Sequence, residues 1–304
     1  KQFSWCNIYQ SYSWGEVKRK YGWFPARAVV KDINGKIVSA AQVLIKKRFG
    51  CLVGWVPGGP LFFDIKSITP LANHFYNSKG LLKYLRIYPM APESEENAEW
   101  LASEGWSRPK NRFHKSMTII LDINEDMDSI KKQLKQKWRY YLNRSYSFSR
   151  IFRIVTDEKD FPPLINAHID MCINKGLRDS LGLEELTIIK KILKEDLMVF
   201  TTYEGEFFTS GWIIARFMDT AYVLRAVTTE RGRDALASYF CLWEAIKYLK
   251  SGGCKRIEMG GIDPEDNRGV THFKRGLGGK EIQWLGEWEQ VNNRLISNVV
   301  NWLI

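Results

Sequence analysis

A glycine-rich stretch in the last sixth of the chain has the residue types needed for chemistry on a charged or acyl substrate. Residues 259–279 read MGGIDPEDNRGVTHFKRGLGG and include six glycines together with His272, Lys274 and Arg275. Glycines that follow a strand let the backbone approach a ligand closely, and a cation beside such a loop can hold a phosphate or stabilise a developing oxyanion. A long surface loop with solvated charges would have the same composition. Neither a Walker A pattern nor GxGxxG occurs.

A second candidate is a basic segment, residues 130–150, which has seven lysines and arginines and no acid. A helix over Asp128–Arg144 would place residues that are four positions apart on one face, where unpaired like charges repel each other. RNA would relieve this repulsion, and a solvated face paired with acids elsewhere in the fold is the alternative. The candidate RNA contacts are Lys131, Lys135, Arg139 and Arg144.

Other reactive residues form no recognisable site. The cysteines are five, an odd number without a CxxC pair, which argues against a disulfide framework or a zinc site and indicates a reducing compartment. No metal-ligand spacing connects the four histidines, and no nucleophile–base arrangement is visible. These histidines are His74, His114, His168 and His272. We therefore predict no metal.

Two similar segments of the chain are expected to form the strands around which these candidate residues are placed. Residues 26–56 and 196–226 each contain a short apolar run, a turn ending in glycine (Asn34-Gly35 or Glu204-Gly205), a longer apolar run and a third run. Asn-Gly between apolar runs is a strong hairpin signal, so each segment is predicted to be a three-stranded meander. Each is followed by helical sequence, most clearly Ala235–Lys250, which alternates with further strands. The pattern predicts an α/β chain with an internal duplication.

Composition limits the class of protein. The 304 residues correspond to about two domains, and a hydrophobic content of 45% is enough for sizeable cores. No apolar run is long enough for a membrane span, and the first residues lack the apolar core of a signal peptide. The net charge of +11 favours polyanionic partners such as nucleic acid, phosphorylated substrates or an anionic membrane surface.

Several blocks in a fixed order resemble the FemABX family of aminoacyl-tRNA-dependent peptidyltransferases. The blocks are Tyr9–Trp23, Val56–Pro60, Leu85–Pro89, Lys135–Ser145, Leu242–Asp263, Gly269–Lys280 and Trp284–Glu289. The resemblance spans nearly the whole chain. Many members carry a long helical arm, for which this chain is too short, so it is most similar to the arm-less type.

The resemblance implies an α/β fold with two tandem GNAT-like acyltransferase domains, each a mixed twisted sheet flanked by helices. The first domain, on the acceptor side, is expected to comprise residues 1–145 and 290–304, and the second residues 146–289. The final helix, 290–304, is expected to return to the first domain.

The resemblance also implies roles for individual residues. Lys274 matches the family lysine that stabilises the tetrahedral transition state, and Lys18 matches a lysine associated with substrate phosphate. The family's Arg-Asp-Gly-like segment is replaced here, so Lys175 or Arg178 would take over phosphate contacts. Tyr88 stands where relatives have Asp, which leaves that position without a general base. Tyr88 is still expected to bind substrate, as are Trp14, Tyr222, Arg225 and His272.

Together these features predict an aminoacyl-tRNA-dependent transferase of the cytoplasm that forms an amide on an amine-bearing acceptor. The acceptor would be a peptidoglycan or other cell-envelope precursor, or another amine, phosphate- or lipid-linked, with peripheral contact to a membrane surface. Charged tRNA is the co-substrate and no cofactor is needed, because the ester is already activated. An acyl-CoA-dependent N-acyltransferase is the alternative, although residues 231–237 lack the glycine spacing that binds CoA pyrophosphate. A non-catalytic RNA-binding protein is the third hypothesis.

Overall fold

A computed structural model describes Phe3 and residues 6–48, 50–78, 82–176 and 181–292. The chain divides into two compact units, which are residues 1–117 with 282–304, and residues 118–281. Within the described ranges, no helix combines the length and the apolar character that crossing a bilayer requires.

Helices and strands alternate along the chain. The strands are β1 (Phe24–Lys31), β2 (Ile37–Arg48), β3 (Cys51–Val56), β4 (Leu61–Phe62), β5 (Leu82–Ile87), β6 (Met117–Asp122), β7 (Ile151–Val155), β8 (Leu197–Glu204), β9 (Phe207–Phe217), β10 (Thr220–Thr228), β11 (Arg256–Gly261), β12 (Lys280–Gln283) and β13 (Trp288–Val291). The helices are α1 (Tyr12–Arg19), α2 (Ile68–Tyr76), α3 (Glu95–Ser103), α4 (Met127–Gln133), α5 (Gln136–Ser145), α6 (Pro162–Asn174), α7 (Leu183–Leu193), α8 (Glu230–Asp234), α9 (Ala237–Ser251) and α10 (Arg268–Arg275).

The first unit is built on a mixed sheet in the order β1-β2-β3-β5-β13, with β4 paired to β2. β1, β2 and β3 form an antiparallel meander, and β5 runs parallel to β3 along the full length of both strands. Its core contains Ile68 and Phe75 of α2, Leu101 of α3, and Leu285 and Trp288 near β13. The apolar faces of α2 and α3 therefore pack into the core of this unit.

The second unit has a seven-stranded mixed sheet in the order β12-β6-β11-β10-β9-β8-β7. β8, β9 and β10 form the second antiparallel meander, and α9 buries its apolar residues against it. β11 runs parallel to β10, but the pairs extend only from Thr220 with Arg256 to Tyr222 with Glu258. β10 continues to Thr228, so the two parallel strands separate beyond Tyr222.

These sheets confirm the α/β prediction, with two mixed sheets flanked by helices, and the two meanders occupy the predicted repeats. The boundary between the units differs from the predicted one at residue 145, because β6 pairs with β11 and belongs to the second sheet. Residues 282–289 likewise belong to the first unit, since β13 pairs with β5. The first two residues of the helix predicted over 290–304 belong to β13 instead. Residues 293–304 lie outside the described residues.

Gly278 illustrates how tightly the glycine-rich stretch packs. Its φ is +78°, and a Cβ there would lie 2.0 Å from the backbone oxygen of Gln133. Gly253 has a similar φ of +85°, but a Cβ there would meet nothing within 4 Å.

We expect Gly253→Ala to lower the free energy of unfolding by about 1 kcal/mol, the cost of left-handed backbone. Gly278→Ala adds a backbone clash and should cost about 3 kcal/mol. Denaturant titration of both variants tests this, and equal losses would contradict it.

Candidate functional site

Lys274 lies in the second unit near the end of α10, a helix within the glycine-rich stretch. Its Nζ atom donates a hydrogen bond to the carbonyl oxygen of Gly261 at 2.8 Å. Burial lowers the pKa of Lys274 to about 8, although the Glu258 carboxylate favours the charged form. The stretch is therefore not the extended loop of solvated charges that composition also allowed. Lys274 is a partly desolvated cation held at the end of β11.

Aromatic packing anchors the helix that carries Lys274. The ring of Phe273 lies 5.0 Å from the ring of Tyr239, 5.7 Å from Trp138 and 6.1 Å from Trp212, measured between centroids. A Cβ at Gly276 would come within 2.5 Å of the Trp138 ring, so glycine permits the close approach. These contacts hold Phe273 in place, and they thereby fix the backbone position from which the Lys274 side chain extends.

The turn beside Lys274 is fixed by hydrogen bonds to Glu258. Its Oε1 atom accepts from the backbone N–H of Gly260 at 3.1 Å and from the hydroxyl of Thr118. Gly260 has a φ of +74°, and a Cβ there would lie 3.4 Å from the Val223 oxygen and 3.6 Å from Lys274 Nζ. The ammonium group is thus adjacent to the point where β10 and β11 separate.

β10 bends at the same point. Its register with β9 shifts between Val223 and Arg225, and such a bulge leaves one residue unpaired and increases the local twist. Tyr222 is buried immediately before the bulge. Arg225 follows it, and its guanidinium donates to the Leu224 oxygen at 2.9 Å. Two predicted substrate-binding residues, Tyr222 and Arg225, therefore flank the strand segment that faces Gly260.

The other predicted residues of the second unit are more dispersed. His272 is exposed on α10, two positions before Lys274, which places it on a different side of the helix. Lys175 is exposed at the C-terminal end of α6. Arg178 lies outside the described residues. The phosphate contacts expected of Lys175 or Arg178 therefore stay a prediction.

The single basic helix predicted over 128–144 is wrong. α4 ends at Gln133, Leu134 is buried with extended backbone, and Lys135 precedes α5. The backbone N–H of Lys135 donates to the Gly276 oxygen at 2.8 Å, which ties this break to the turn after α10. Lys131 therefore does not share a helix face with Lys135 and Arg139. Arg139 donates to the Lys132 oxygen at 2.8 Å, and Arg144 is exposed near the end of α5.

In the first unit, Trp14 and Lys18 share one side of α1. Trp14 is buried, and its ring lies 4.8 Å from that of Tyr9. Lys18 Nζ lies 5.4 Å from the Trp14 ring and 5.8 Å from the Tyr21 ring, distances typical of cation–π contacts. The Lys18 ammonium therefore lies against two aromatic rings. Trp14 is buried, so its main role is in packing.

Tyr88 follows β5 in the first unit, and the Pro-Gly-Gly-Pro turn holds it. The Tyr88 backbone N–H donates to the Gly59 oxygen at 3.0 Å, and its hydroxyl donates to the Lys115 oxygen at 3.0 Å. The Tyr88 ring stacks on the imidazole of His114 at 4.9 Å. The Pro-Gly-Gly-Pro turn thus has a structural role, which is to hold the backbone at Tyr88.

Sequence reasoning missed a buried group of charges beside Tyr88. Glu287 accepts from the guanidinium of Arg86 and lies 2.6 Å from Nδ1 of His114. Both Arg86 and Glu287 are buried. The sequence did contain a signal, which was an acid inside the apolar run WLGEWE and an arginine inside LRIYP. Buried charges require partners, so two charges within apolar runs indicate a possible ion pair. No cluster of metal-ligating residues occurs among the residues that the structure describes.

The part of the chain that carries Lys274 matches a known family. Residues 184–303 match the FemAB family. The resemblance to FemABX proteins is confirmed over this range. The match supports a transferase. No curated protein matches the sequence.

Solved structures share the fold across both units. The crystal structure of FemX has a TM-score of 0.83 at 14% identity, and the alignment covers 99% of this chain and 96% of FemX. L-PGS from Bacillus licheniformis has a TM-score of 0.55 at 13% identity, with coverages of 91% and 89%. A tandem GNAT protein from the clavulanic acid biosynthesis pathway has a TM-score of 0.53 at 11% identity, with coverages of 88% and 84%. The tandem GNAT-like architecture is thereby shown.

Proposed function

We propose that this protein transfers an amino acid from charged tRNA to an amine acceptor, in line with the FemAB family that residues 184–303 match. The acceptor is a peptidoglycan or other cell-envelope precursor, and the reaction takes place in the cytoplasm, where charged tRNA is made. The observation that carries the proposal is the Lys274 ammonium beside the separation of β10 and β11.

The reaction needs a preformed positive charge more than it needs a cofactor. The amine attacks the ester carbonyl, and negative charge develops on the carbonyl oxygen in the transition state. A fixed cation at that position lowers the barrier because it requires no reorganisation during the step. Lys274 is held at Gly261 by a hydrogen bond and is partly removed from water, which strengthens its field.

The segment before α9 supports charged tRNA over CoA as the donor. In place of a glycine-rich phosphate loop, this segment forms the short helix α8, capped by the Thr229 side chain. The Arg231 guanidinium pairs with Glu204 at 2.7 Å, and Arg233 donates to the Thr228 oxygen at 3.2 Å. Both cations are therefore engaged, and the exposed Asp234 would repel a pyrophosphate.

The basic residues of α4 and α5 are the proposed contacts for tRNA. Lys135 and Arg144 are exposed, and Lys131 and Arg139 are half-buried. Phosphate contacts of this kind release counterions, so the affinity should fall steeply with salt. Phosphate or lipid groups on the acceptor, and the approach of the basic surface to anionic lipid, are parts of the same proposal.

A donor screen tests the function. The purified protein is mixed with bulk charged tRNA, and separately with a panel of acyl-CoAs, and ester loss or thiol release is followed at two salt concentrations. Selective loss of one amino acid's ester, with salt-dependent binding, is the expected result. Saturable CoA binding with no response to tRNA would overturn the proposal in favour of an acyl-CoA-dependent N-acyltransferase. Salt-dependent RNA binding with no product from any donor would indicate an RNA-binding protein.

The transfer rate should fall as pH rises through about 8. The ammonium form of Lys274 is the catalytic one, and it is lost above its pKa of about 8. Rates are to be expressed per concentration of free-base amine and corrected for uncatalysed ester hydrolysis. The Lys274→Arg variant should lack this decline, because arginine stays charged. A wild-type rate that stays constant up to about pH 9.5 would contradict the prediction, since a lysine of that pKa is then mostly neutral.

A further inference from the structure

In the second unit, the carboxylate of Glu258 is fixed beside the turn to which Lys274 is hydrogen-bonded. Its Oε1 atom accepts from the backbone N–H of Gly260 at 3.1 Å and from the Thr118 hydroxyl. The same hydroxyl lies 3.0 Å from the Gly260 carbonyl oxygen. Thr118 is buried on β6, and it pairs with Gly261 of β11. The carboxylate is therefore held by the turn on one side and by the neighbouring strand on the other.

This turn determines where the Lys274 ammonium lies. The carbonyl oxygen of Gly261 accepts from Nζ at 2.8 Å. Gly260 has a φ of +74°, and the hydrogen bond from its backbone N–H to Glu258 helps to hold this left-handed conformation. A Cβ at Gly260 would lie 3.6 Å from Nζ. Glu258, the turn and the ammonium thus form one connected arrangement.

The charge of Glu258 acts on the same ammonium. Burial lowers the pKa of Lys274 to about 8, and the negative charge of Glu258 opposes this effect because it favours the charged form. Removal of the Glu258 charge alone would therefore lower the pKa of Lys274 further. A smaller fraction of the molecules would then have the ammonium form near pH 8.

Other charged groups around Lys274 have partners of their own. The Arg275 guanidinium pairs with Glu281 at 2.8 Å, and Asp263 Oδ1 accepts from two backbone N–H groups of the following turn at 3.0 Å. The remaining titratable side chains on the elements around it are His272 of α10, Tyr222 and Arg225 of β10, and Tyr239 of α9. Glu258 is the acid whose charge favours the ammonium form.

We propose that Glu258 is the positioning residue for Lys274 in the transfer reaction, where it keeps the ammonium charged and beside the separated strands β10 and β11, and this inference rests on the function proposed above. Glu258 forms no bond to the substrate in this role. It acts through Lys274, which meets the negative charge that develops on the ester carbonyl oxygen. A neutral amine at this place would have no charge with which to stabilise that oxygen.

The test compares Glu258→Gln with Glu265→Gln. The Gln side-chain oxygen can still accept from Gly260 and Thr118, so the substitution removes the charge and retains the turn. Glu265 is exposed between β11 and α10, and its substitution changes the net charge equally. With rates expressed per free-base amine, the alkaline decline of transfer should move about 1 pH unit lower in Glu258→Gln. It should stay at about pH 8 in Glu265→Gln.

The loss of rate should also depend on pH. A shift of about 1 pH unit makes Glu258→Gln about fivefold slower than the wild type at about pH 8 and nearly equal to it at about pH 6. A purely structural defect would lower the rate by the same factor at both pH values. In the Lys274→Arg background the cation does not titrate, so Glu258→Gln should leave the pH profile unchanged. An alkaline decline at the wild-type pH in Glu258→Gln refutes the inference.

A direct titration separates this inference from the proposed function. Reductive methylation with isotopically labelled formaldehyde makes the lysines visible by NMR, and the Lys274 resonance is the one absent from Lys274→Arg. Its titration midpoint should be lower in Glu258→Gln than in the wild type, and equal midpoints refute the inference even where transfer is observed.

Two further outcomes are also decisive. If Glu258→Gln does not fold, Glu258→Asp should show a smaller shift of the Lys274 midpoint in the same direction, because its carboxylate is one methylene shorter. An unchanged midpoint in Glu258→Asp then refutes the inference. If the wild type transfers no amino acid from any charged tRNA, the proposed function fails first, and the role of Glu258 in the reaction fails with it, whatever the NMR titration gives.

Discussion

Replacement of Lys274 by alanine is expected to lower the single-turnover rate of aminoacyl transfer by about 10²- to 10³-fold, the usual effect of removing one oxyanion-stabilising group. The physical reason is the position of Nζ, which is fixed by the Gly261 carbonyl oxygen at 2.8 Å and lies beside the separated strands β10 and β11. A water molecule in its place would carry no charge and would have to reorient during the reaction.

The variant should remain folded. Lys274 is only partly buried and makes its hydrogen bond to a carbonyl that water can also satisfy. Lys280→Ala is the matched control, because Lys280 is exposed in the same unit and the change in net charge is identical. The measurement is rapid mixing of excess protein with charged tRNA and acceptor amine. A Lys274→Ala rate within a few-fold of the Lys280→Ala rate would remove Lys274 from the mechanism.

Glu287→Gln should destabilise the first unit by about 3 to 5 kcal/mol, the usual cost of breaking a buried ion pair on one side. Arg86 is completely buried, and its guanidinium also contacts the Phe113 ring at 3.8 Å. The amide cannot neutralise this charge, so a desolvated cation would remain in the core. Denaturant titration of the purified variant measures the loss.

Two comparisons make this result specific. The double variant Glu287→Gln, Arg86→Met removes both charges and should recover part of the lost stability, because an apolar replacement avoids the desolvation cost. Glu16→Gln changes an exposed ion pair with Arg19 and should have a much smaller effect. A loss for Glu287→Gln no greater than that for Glu16→Gln would contradict the prediction.

Local sequence signals are sufficient for the repeated architecture. Both meanders arise from turns within a few residues of the strands that they connect, and Asn34-Gly35 and Glu204-Gly205 lie at these turns. Helix α9 follows from apolar spacing over fifteen residues and a glycine at its end. Lys274 can be identified because the motif surrounding it is continuous in the chain. All these features depend on residues that are neighbours in sequence.

Helix continuity at residues 128–144 is decided by packing instead. The basic composition and the absence of proline or glycine favour one helix, but buried Leu134 and the bond from Lys135 to Gly276 break it. The contact joins residues about 140 positions apart in the chain, and no local propensity encodes it. The positions of Lys131 and Lys135 relative to each other therefore could not be read from their spacing.

The sequence by itself determined the α/β class, the duplication and the identity of Lys274 as the catalytic candidate. Only the tertiary structure decided the separation of β10 from β11 and the pairing of Glu287 with Arg86 and His114, which lie 201 and 173 positions away in the chain. Turns and amphipathic helices are encoded by short-range spacing, whereas the partner of a buried charge is set by which strands meet in a sheet. β13 pairs with β5, and that long-range pairing is what brings an otherwise ordinary histidine to a buried carboxylate.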